Sequence, residues 1–223
     1  MFDCAIFDLD GTLVDSERVI MRAWVDAARE LGIALEPEAY SAVIGLNQRQ
    51  SVEVLVALLG GAGAYASVRA RVAARLCAGA SEATFPAKAG ADALLRALGA
   101  KSIPCAVASS SSAAEIRHRL AGAGVLAHFR AIAGGDEVPR GKPDPAVYKL
   151  AVQRLGASER TCVAFEDSEH GAAAALAAGL AVVLVPDLRA LPNTIAKQSL
   201  CVIGTLAEAI EHLPAWFPAA RGA

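Results

Sequence analysis

The sequence predicts an α/β fold, a Rossmann-like doubly wound parallel sheet with a small inserted helical cap domain. Apolar runs of strand length recur at residues 4–7, 103–108, 161–165, 181–185 and 200–203, and most lead into Ala-rich stretches with helical periodicity. Strand and helix alternating in this way argue a parallel sheet covered on both faces. Between Ser16 and about Phe85 the strand pattern stops and helical spacing takes over, which marks an insert. The expected division is therefore a sheet core of residues 1–15 and 87–223 and a helical domain of residues 16–86.

The first run, Ala5 to Phe7, ends in Asp8 and Asp10, followed by Gly11 and Thr12. A D-G pair after a strand is a common turn. Two carboxylates at one strand end also repel each other and call for a cation, so the complementary groups must be sought elsewhere in the chain. The insert opens with Val19, Ala23, Trp24, Ala27 and Leu31 on one helical face, and its later segments "QSVEVLVALLGG" and "SVRARVAARLCAG" each end in a glycine stop.

The second run, "IPCAVASSSS", ends in Ser109, Ser110, Ser111 and Ser112 just ahead of a helix starting near Ala113. Hydroxyls and free N–H groups there suit an anion, although one serine as an ordinary N-cap explains part of the pattern. In "PRGKPDPAVY", Lys142 sits between glycine and proline, with Pro143 and Pro145 expected in the first turn of the next helix. The third run, "CVAFEDSEHG", ends in Glu166 and Asp167, which could equally cap the helix beginning near Ser168. The tract from Gly171 to Pro186 reads as helix, glycine stop at Gly179 and strand, too short to span a bilayer.

The 223 residues carry a net charge of −2 with an isoelectric point near 6.1, giving no electrostatic footprint for nucleic acid or an anionic membrane, and neither partner is expected. The N-terminus has acidic residues where a signal peptide needs a basic region, so a cytoplasmic location is expected. The five cysteines form no C-x-x-C and lie near no histidine cluster; Cys4, Cys105, Cys162 and Cys201 fall in apolar runs and read as buried reduced thiols.

"DLDGTLVDS", a hydroxyl at the end of the next sheet run, "GKPDP" and "FEDSEHG" together resemble the haloacid dehalogenase-like hydrolase superfamily, in order and spacing, across nearly the whole chain. The helical insert just after the first motif is similar to the small cap of the branch containing sugar-phosphate phosphatases and β-phosphoglucomutase. The resemblance implies that Asp8 is a nucleophile, Asp10 a general acid/base, and Lys142 a neutralising cation that also binds phosphate. It implies Ser109, the first polar residue after "AVA", and Ser110 as phosphate ligands. Asp8, the Asp10 main-chain carbonyl and Asp167 would hold Mg²⁺, with Glu166 hydrogen-bonding the metal's waters.

The implied activity is hydrolysis of a small phosphorylated sugar, sugar acid or polyol through an aspartyl-phosphate. The alternative within the family is a sugar-phosphate mutase. β-Phosphoglucomutases carry a histidine where this chain has Ile20 and tend to have valine at Thr12, which favours the phosphatase. A dehalogenase is disfavoured because Asp10 and Asp167 are both present. The "EDS" at Glu166–Ser168 weighs against a phosphoglycolate phosphatase, and the intact set of motif residues weighs against a non-catalytic binding protein. "IGLNQRQS" resembles the cap loop that selects substrate, with Gly45 at a helix break and Arg49 suited to a carboxylate or second phosphate; a solvated helix charge is an equal reading of Arg49.

Overall fold

A computed structural model of the chain describes residues 1–44, 48–78, 85–188 and 190–218, except the side chains at positions 48, 49, 77 and 78. Gly45 and the Arg49 side chain lie outside the described residues. Two compact units are present, Met1–Val14 with Pro86–Ala223, and Asp15–Phe85.

The first unit holds β1 (Cys4–Phe7), then α5 (Ala91–Ala100), β2 (Cys105–Ala108), α6 (Ala113–Gly122) and β3 (Phe129–Ala133). It continues with α7 (Ala146–Leu155), β4 (Cys162–Glu166), α8 (Glu169–Ala177), β5 (Ala181–Leu184), α9 (Asn193–Ala196), β6 (Cys201–Val202) and α10 (Ala209–Trp216). The helices between β1 and α5 belong to the second unit.

All six strands are parallel, in the order β3-β2-β1-β4-β5-β6. The chain winds outward from β1 through β2 to β3, then returns to place β4 on the other side of β1. In such sheets the crevice at the carboxyl ends of the strands, at the point where the winding reverses, is where ligands bind. That reversal falls between β1 and β4, which end just before Asp8 and at Glu166.

The central strands read as apolar runs because both faces are covered. Cys4 to Phe7 and Cys162 to Glu166 are fully buried, and the rings of Phe7 and Phe165 stack at 4.7 Å. Strand β3 is one the sequence reading misses. It is an edge strand, and its first three residues are only partly covered or exposed, so "FRAIA" shows neither an apolar run nor clean alternation. Pro143 and Pro145 also sit differently from the expectation: both precede α7, with Pro145 at its N-cap.

The cysteines require a correction. Cys4 and Cys162 are register partners on β1 and β4, their Cα atoms are 5.0 Å apart, and their sulfurs form a disulfide. The expectation of reduced thiols fails for this pair because adjacency across a parallel sheet, at a sequence separation of 158, has no signature in spacing. Cys105 is a buried free cysteine and Cys201 a half-buried one.

The second unit contains α1 (Ser16–Glu30), α2 (Pro37–Tyr40), α3 (Gln48–Leu58) and α4 (Ala62–Ala78). Its core gathers Ala23, Trp24, Ala27, Leu55 and Val68, with Trp24 stacked on Tyr65 at 5.8 Å. A cavity of about 330 Å³ is lined by Glu17, Ile20, Trp24, Tyr40, Tyr65 and Arg69, among others. No single helix among the described residues is long and apolar enough to cross a membrane.

The turn after β3 is fixed from α7. Arg154 grips the Glu137 carboxylate with both ends of its guanidinium, at 2.9 and 2.8 Å, and also donates to the Ile132 carbonyl. Glu137 in turn accepts from the Gly134 amide at 2.9 Å. The Arg154 hydrogen bond, then that of Gly134, hold the Glu137 carboxyl down at about 2. A carboxyl depressed by folding contributes stability above its unfolded value of 4.5, and that contribution is lost as pH falls toward about 2. Glu137→Gln should therefore lower the melting temperature at neutral pH, with the gap to the parent chain closing over that acid window. Thermal melts across the window check this; a gap that does not vary with pH would remove the pair from the account.

Candidate active site

Asp8 and Asp10 follow the end of β1, with a bend at Leu9 between them. They acquire different partners. Asp8 is buried, and its Oδ1 accepts from the Lys142 ammonium at 2.5 Å. The same ammonium donates to Glu166 Oε1 at 2.7 Å, so one lysine joins the ends of β1 and β4. Lys142 stands in the turn before α7, and its side chain is only 6% exposed.

Glu166 is fully buried and its acceptor sites are met in full view of the local sequence. The Tyr148 hydroxyl, from α7, donates to Oε1 at 2.6 Å, and the Ser168 hydroxyl lies 3.1 Å from Oε2. Ser168 also caps α8 by accepting from the Gly171 amide at 3.0 Å. Gly171 leaves the space the carboxylate occupies, because a Cβ there would collide with it. Gly11 does the same for Asp167: it has φ of +81° and lies against that carboxylate, so any side chain would be both strained and obstructed. The Thr12 hydroxyl donates to Asp167 Oδ1 at 3.3 Å. These contacts account for the glycines in "DGT" and "EHG".

Electrostatics follow from burial. Desolvation is the largest influence on the Asp8 carboxyl and pushes it up to about 7, against the pull of Lys142. Burial alone would lower Lys142, but Asp8 and Glu166 hold the ammonium above the ordinary lysine value. Burial and then Glu166 raise the Tyr148 phenol well above its usual value, so it remains a donor. At neutral pH the protons stay on Lys142 and Tyr148.

Asp10 belongs to a second set of contacts. Its Oδ1 accepts from Arg119 of α6 at 2.6 Å, and its Oδ2 from the Ser111 hydroxyl at 3.1 Å. Arg119 also lies 3.3 Å from that hydroxyl. Ser109 is buried, and its Oγ accepts from the Ser111 amide at 3.1 Å. Ser110, expected beside it as a phosphate ligand, is exposed. The serine run turns there, and Ser111 is the one that reaches a carboxylate. Ser112 is an N-cap, forming a capping box with Glu115.

The structure thus brings Asp8, Lys142, Glu166 and Asp167 together, with Asp10 and Ser109 on the neighbouring turns. Sequence reasoning gives no role to Arg119 or Tyr148, and reads Ser111 only as one of four serines suited to an anion. For Tyr148 a signal existed: it shares the buried stripe of α7 with Val152 and Leu155, where a phenol needs a partner.

The donor set can be tested for a metal. Oxygens of Asp8, Glu166 and Asp167 lie within 4.8 Å of one another. Glu166 is engaged at both oxygens by Lys142, Tyr148 and Ser168, whereas the contacts to Asp8 from Lys142 and to Asp167 from Thr12 each fall on one oxygen, Oδ1. An all-oxygen set of this kind fits a hard divalent cation.

Gly171→Ala separates helix propensity from this packing. Propensity alone would stabilise the helix by about 1 kcal/mol. The collision with Glu166 should win, with a net loss of about 1–3 kcal/mol in denaturant unfolding. An unchanged or raised stability would mean that Glu166 is not held against α8.

Comparison with known proteins agrees with the geometry. A family model for haloacid dehalogenase-like hydrolases matches residues 2–179. The chain is 37% identical over 183 residues to hexitol phosphatase A of Escherichia coli K12, covering 81% of each chain. It is 30% identical to the 6-phosphogluconate phosphatase of the same organism, over 81% of this chain and 80% of that one. Among solved structures, a candidate β-phosphoglucomutase from Thermotoga maritima superposes with a TM-score of 0.82 at 26% identity, covering 96% of this chain and 99% of that one. A haloacid dehalogenase-like family hydrolase from Deinococcus radiodurans R1, solved with bound phosphate and sodium, superposes with a TM-score of 0.79 at 28% identity, covering 98% and 99%. With its sheet reversing at Asp8 and Glu166 and the family model covering most of its length, the chain belongs to the haloacid dehalogenase-like hydrolases, among their phosphoric monoester hydrolases.

Proposed function

We propose that this chain is a Mg²⁺-dependent phosphatase of small phosphorylated metabolites, a sugar, sugar acid or polyol phosphate, that works through an aspartyl-phosphate on Asp8. The observation that carries the proposal is the Lys142 ammonium seated between Asp8 and Glu166, 2.5 and 2.7 Å away, beside the Asp167 carboxylate. The named activities of the E. coli relatives supply the substrate class.

A carboxylate approaching a phosphate ester meets a repulsion of about 4 kcal/mol per unit pair near 4 Å at an effective dielectric of about 20. Lys142 offsets part of that repulsion and holds the Asp8 oxygens in one orientation. Asp8 and Asp167, with the Asp10 main-chain carbonyl, would hold Mg²⁺, which when bound supplies further positive charge at the nucleophile and the phosphate. Attack by an Asp8 oxygen forms the P–O bond to the enzyme and breaks the ester P–O bond. Asp10 gives a proton to the leaving alkoxide and later takes one from the attacking water. The Ser109 hydroxyl and its neighbouring amides are suited to binding the phosphate oxygens. A cytoplasmic location and the absence of nucleic-acid or membrane partners complete this reading.

A sugar-phosphate mutase is the second reading, favoured by the T. maritima superposition. Both would form the same intermediate, and they differ in whether water or a sugar hydroxyl attacks it. Incubation with β-glucose 1-phosphate, with and without glucose 1,6-bisphosphate, separates them. The phosphatase releases inorganic phosphate without the bisphosphate; bisphosphate-dependent glucose 6-phosphate with negligible free phosphate would assign the mutase.

The main test is a panel of hexitol, sugar and sugar-acid phosphates assayed for free phosphate with Mg²⁺. Asp8→Asn should lower turnover by about 10²-fold or more while the fold is kept. Excess EDTA should silence the enzyme, and Ca²⁺ should restore it poorly, because its looser coordination misplaces an in-line attack. Activity retained by Asp8→Asn would refute the covalent route, and full activity in EDTA would refute the metal.

A further inference from the structure

The Asp10 carboxylate is held at both oxygens. Arg119 donates to Oδ1 at 2.6 Å and Ser111 to Oδ2 at 3.1 Å, while the second Arg119 contact, 3.3 Å to the Ser111 hydroxyl, closes a three-membered ring of groups. Neither donor comes from β1. Arg119 projects from the second turn of α6, 109 residues away in the sequence, and its side chain is only 16% exposed. An arginine confined in this way has lost rotamer freedom, a cost that an isolated surface ion pair seldom recovers.

The Ser111 backbone is itself fixed. Its amide donates to Ser109 Oγ at 3.1 Å, and its carbonyl accepts from the Gly135 amide at 2.8 Å. Gly135 lies close against the Ser110 backbone, where a Cβ would collide. The turns after β2 and β3 are therefore interlocked around the two donors that hold Asp10.

We propose that Arg119, assisted by Ser111, is the positioning residue for Asp10, fixing the carboxylate that serves proton transfer in the proposed reaction. The proposal rests on the phosphatase reading given above. Arg119 bonds Asp10 and Ser111, so its loss should affect the step that needs Asp10 and spare the one that does not.

p-Nitrophenyl phosphate separates those steps. Asp8 attacks phosphorus, the P–O bond to the phenol breaks, and the electron pair leaves on p-nitrophenolate, a group stable without a proton. In the second step water attacks phosphorus, Asp10 takes its proton, and the electron pair of the breaking P–O bond returns to Asp8 as phosphate departs. Only the second step needs a well-placed Asp10. Misplacing a group by about 1 Å can cost on the order of 10²-fold, and loss of a general base 10² or more.

The experiment is rapid-mixing kinetics of the parent chain and Arg119→Ala with p-nitrophenyl phosphate and Mg²⁺, with acid quenching and mass spectrometry of the Asp8 peptide. Arg119→Ala should show a p-nitrophenolate burst approaching one per active site, a steady state slowed about 10- to 100-fold, and accumulated phosphopeptide. Arg119→Lys, which keeps the charge but not the planar fork, should recover part of the steady-state rate. If Arg119→Ala fails to melt like the parent chain, Ser111→Ala should give the same accumulation at smaller size. In a folded variant, an unchanged kcat, or a lower kcat without phosphopeptide, overturns the proposal and leaves the phosphatase reading intact. A parent chain that turns over neither this ester nor the metabolite panel overturns both.

Discussion

One ammonium, Lys142, buried between the carboxylates of Asp8 and Glu166, is the contact on which the rest of the site depends. Taking three charged groups out of water is expensive unless their remaining lone pairs are satisfied. The surrounding residues meet that demand one by one. Tyr148 and Ser168 serve Glu166, Gly171 clears the space it fills, and the stacked Phe7 and Phe165 rings hold β1 and β4 together beneath. Topology does the remainder, because the reversal of winding between β1 and β4 leaves a crevice at the two strand ends from which these carboxylates emerge.

Asp8 and Asp10, two residues apart, are separated chemically by their partners. The first faces a lysine from the turn before α7 and the second an arginine from α6. The nucleophile and proton-transfer group proposed here need different surroundings, and placing them after one strand end while drawing their partners from different segments of the chain supplies that difference.

Much of this was legible in the sequence where chemistry sits next to a strand end. The runs before Asp8, Ser109 and Glu166 marked the central strands and the polar residues at their ends, while Lys142 stood out by its place between a glycine and a proline ahead of a helix. Contacts formed by folding alone were not legible. Arg119 stands beside the buried Ile116 and Leu120 of α6, but nothing local says that its guanidinium reaches a carboxylate on β1. The Cys4–Cys162 pair depends on the register of two strands distant in sequence. Strand β3 was hidden because an edge position lets Arg130 be exposed, breaking the apolar run. A run of four serines does not reveal which hydroxyl a turn points inward, and it is Ser111 that reaches the Asp10 carboxylate.

The central claim is that Lys142 compensates two buried carboxylates, and Lys142→Met tests it without reference to turnover. Removing one partner of a buried charge cluster leaves the others uncompensated, at a cost of about 3–5 kcal/mol. The measurement is urea unfolding of the parent chain and Lys142→Met in EDTA, from alkaline pH down through neutral. The account predicts a loss of that size at alkaline pH that shrinks as pH falls toward neutral, because the Asp8 carboxyl, already raised to about 7 beside Lys142, is raised further without it and takes up its proton first in the variant. A Lys142→Met chain as stable as the parent at alkaline pH, or a deficit that does not change with pH, would contradict it.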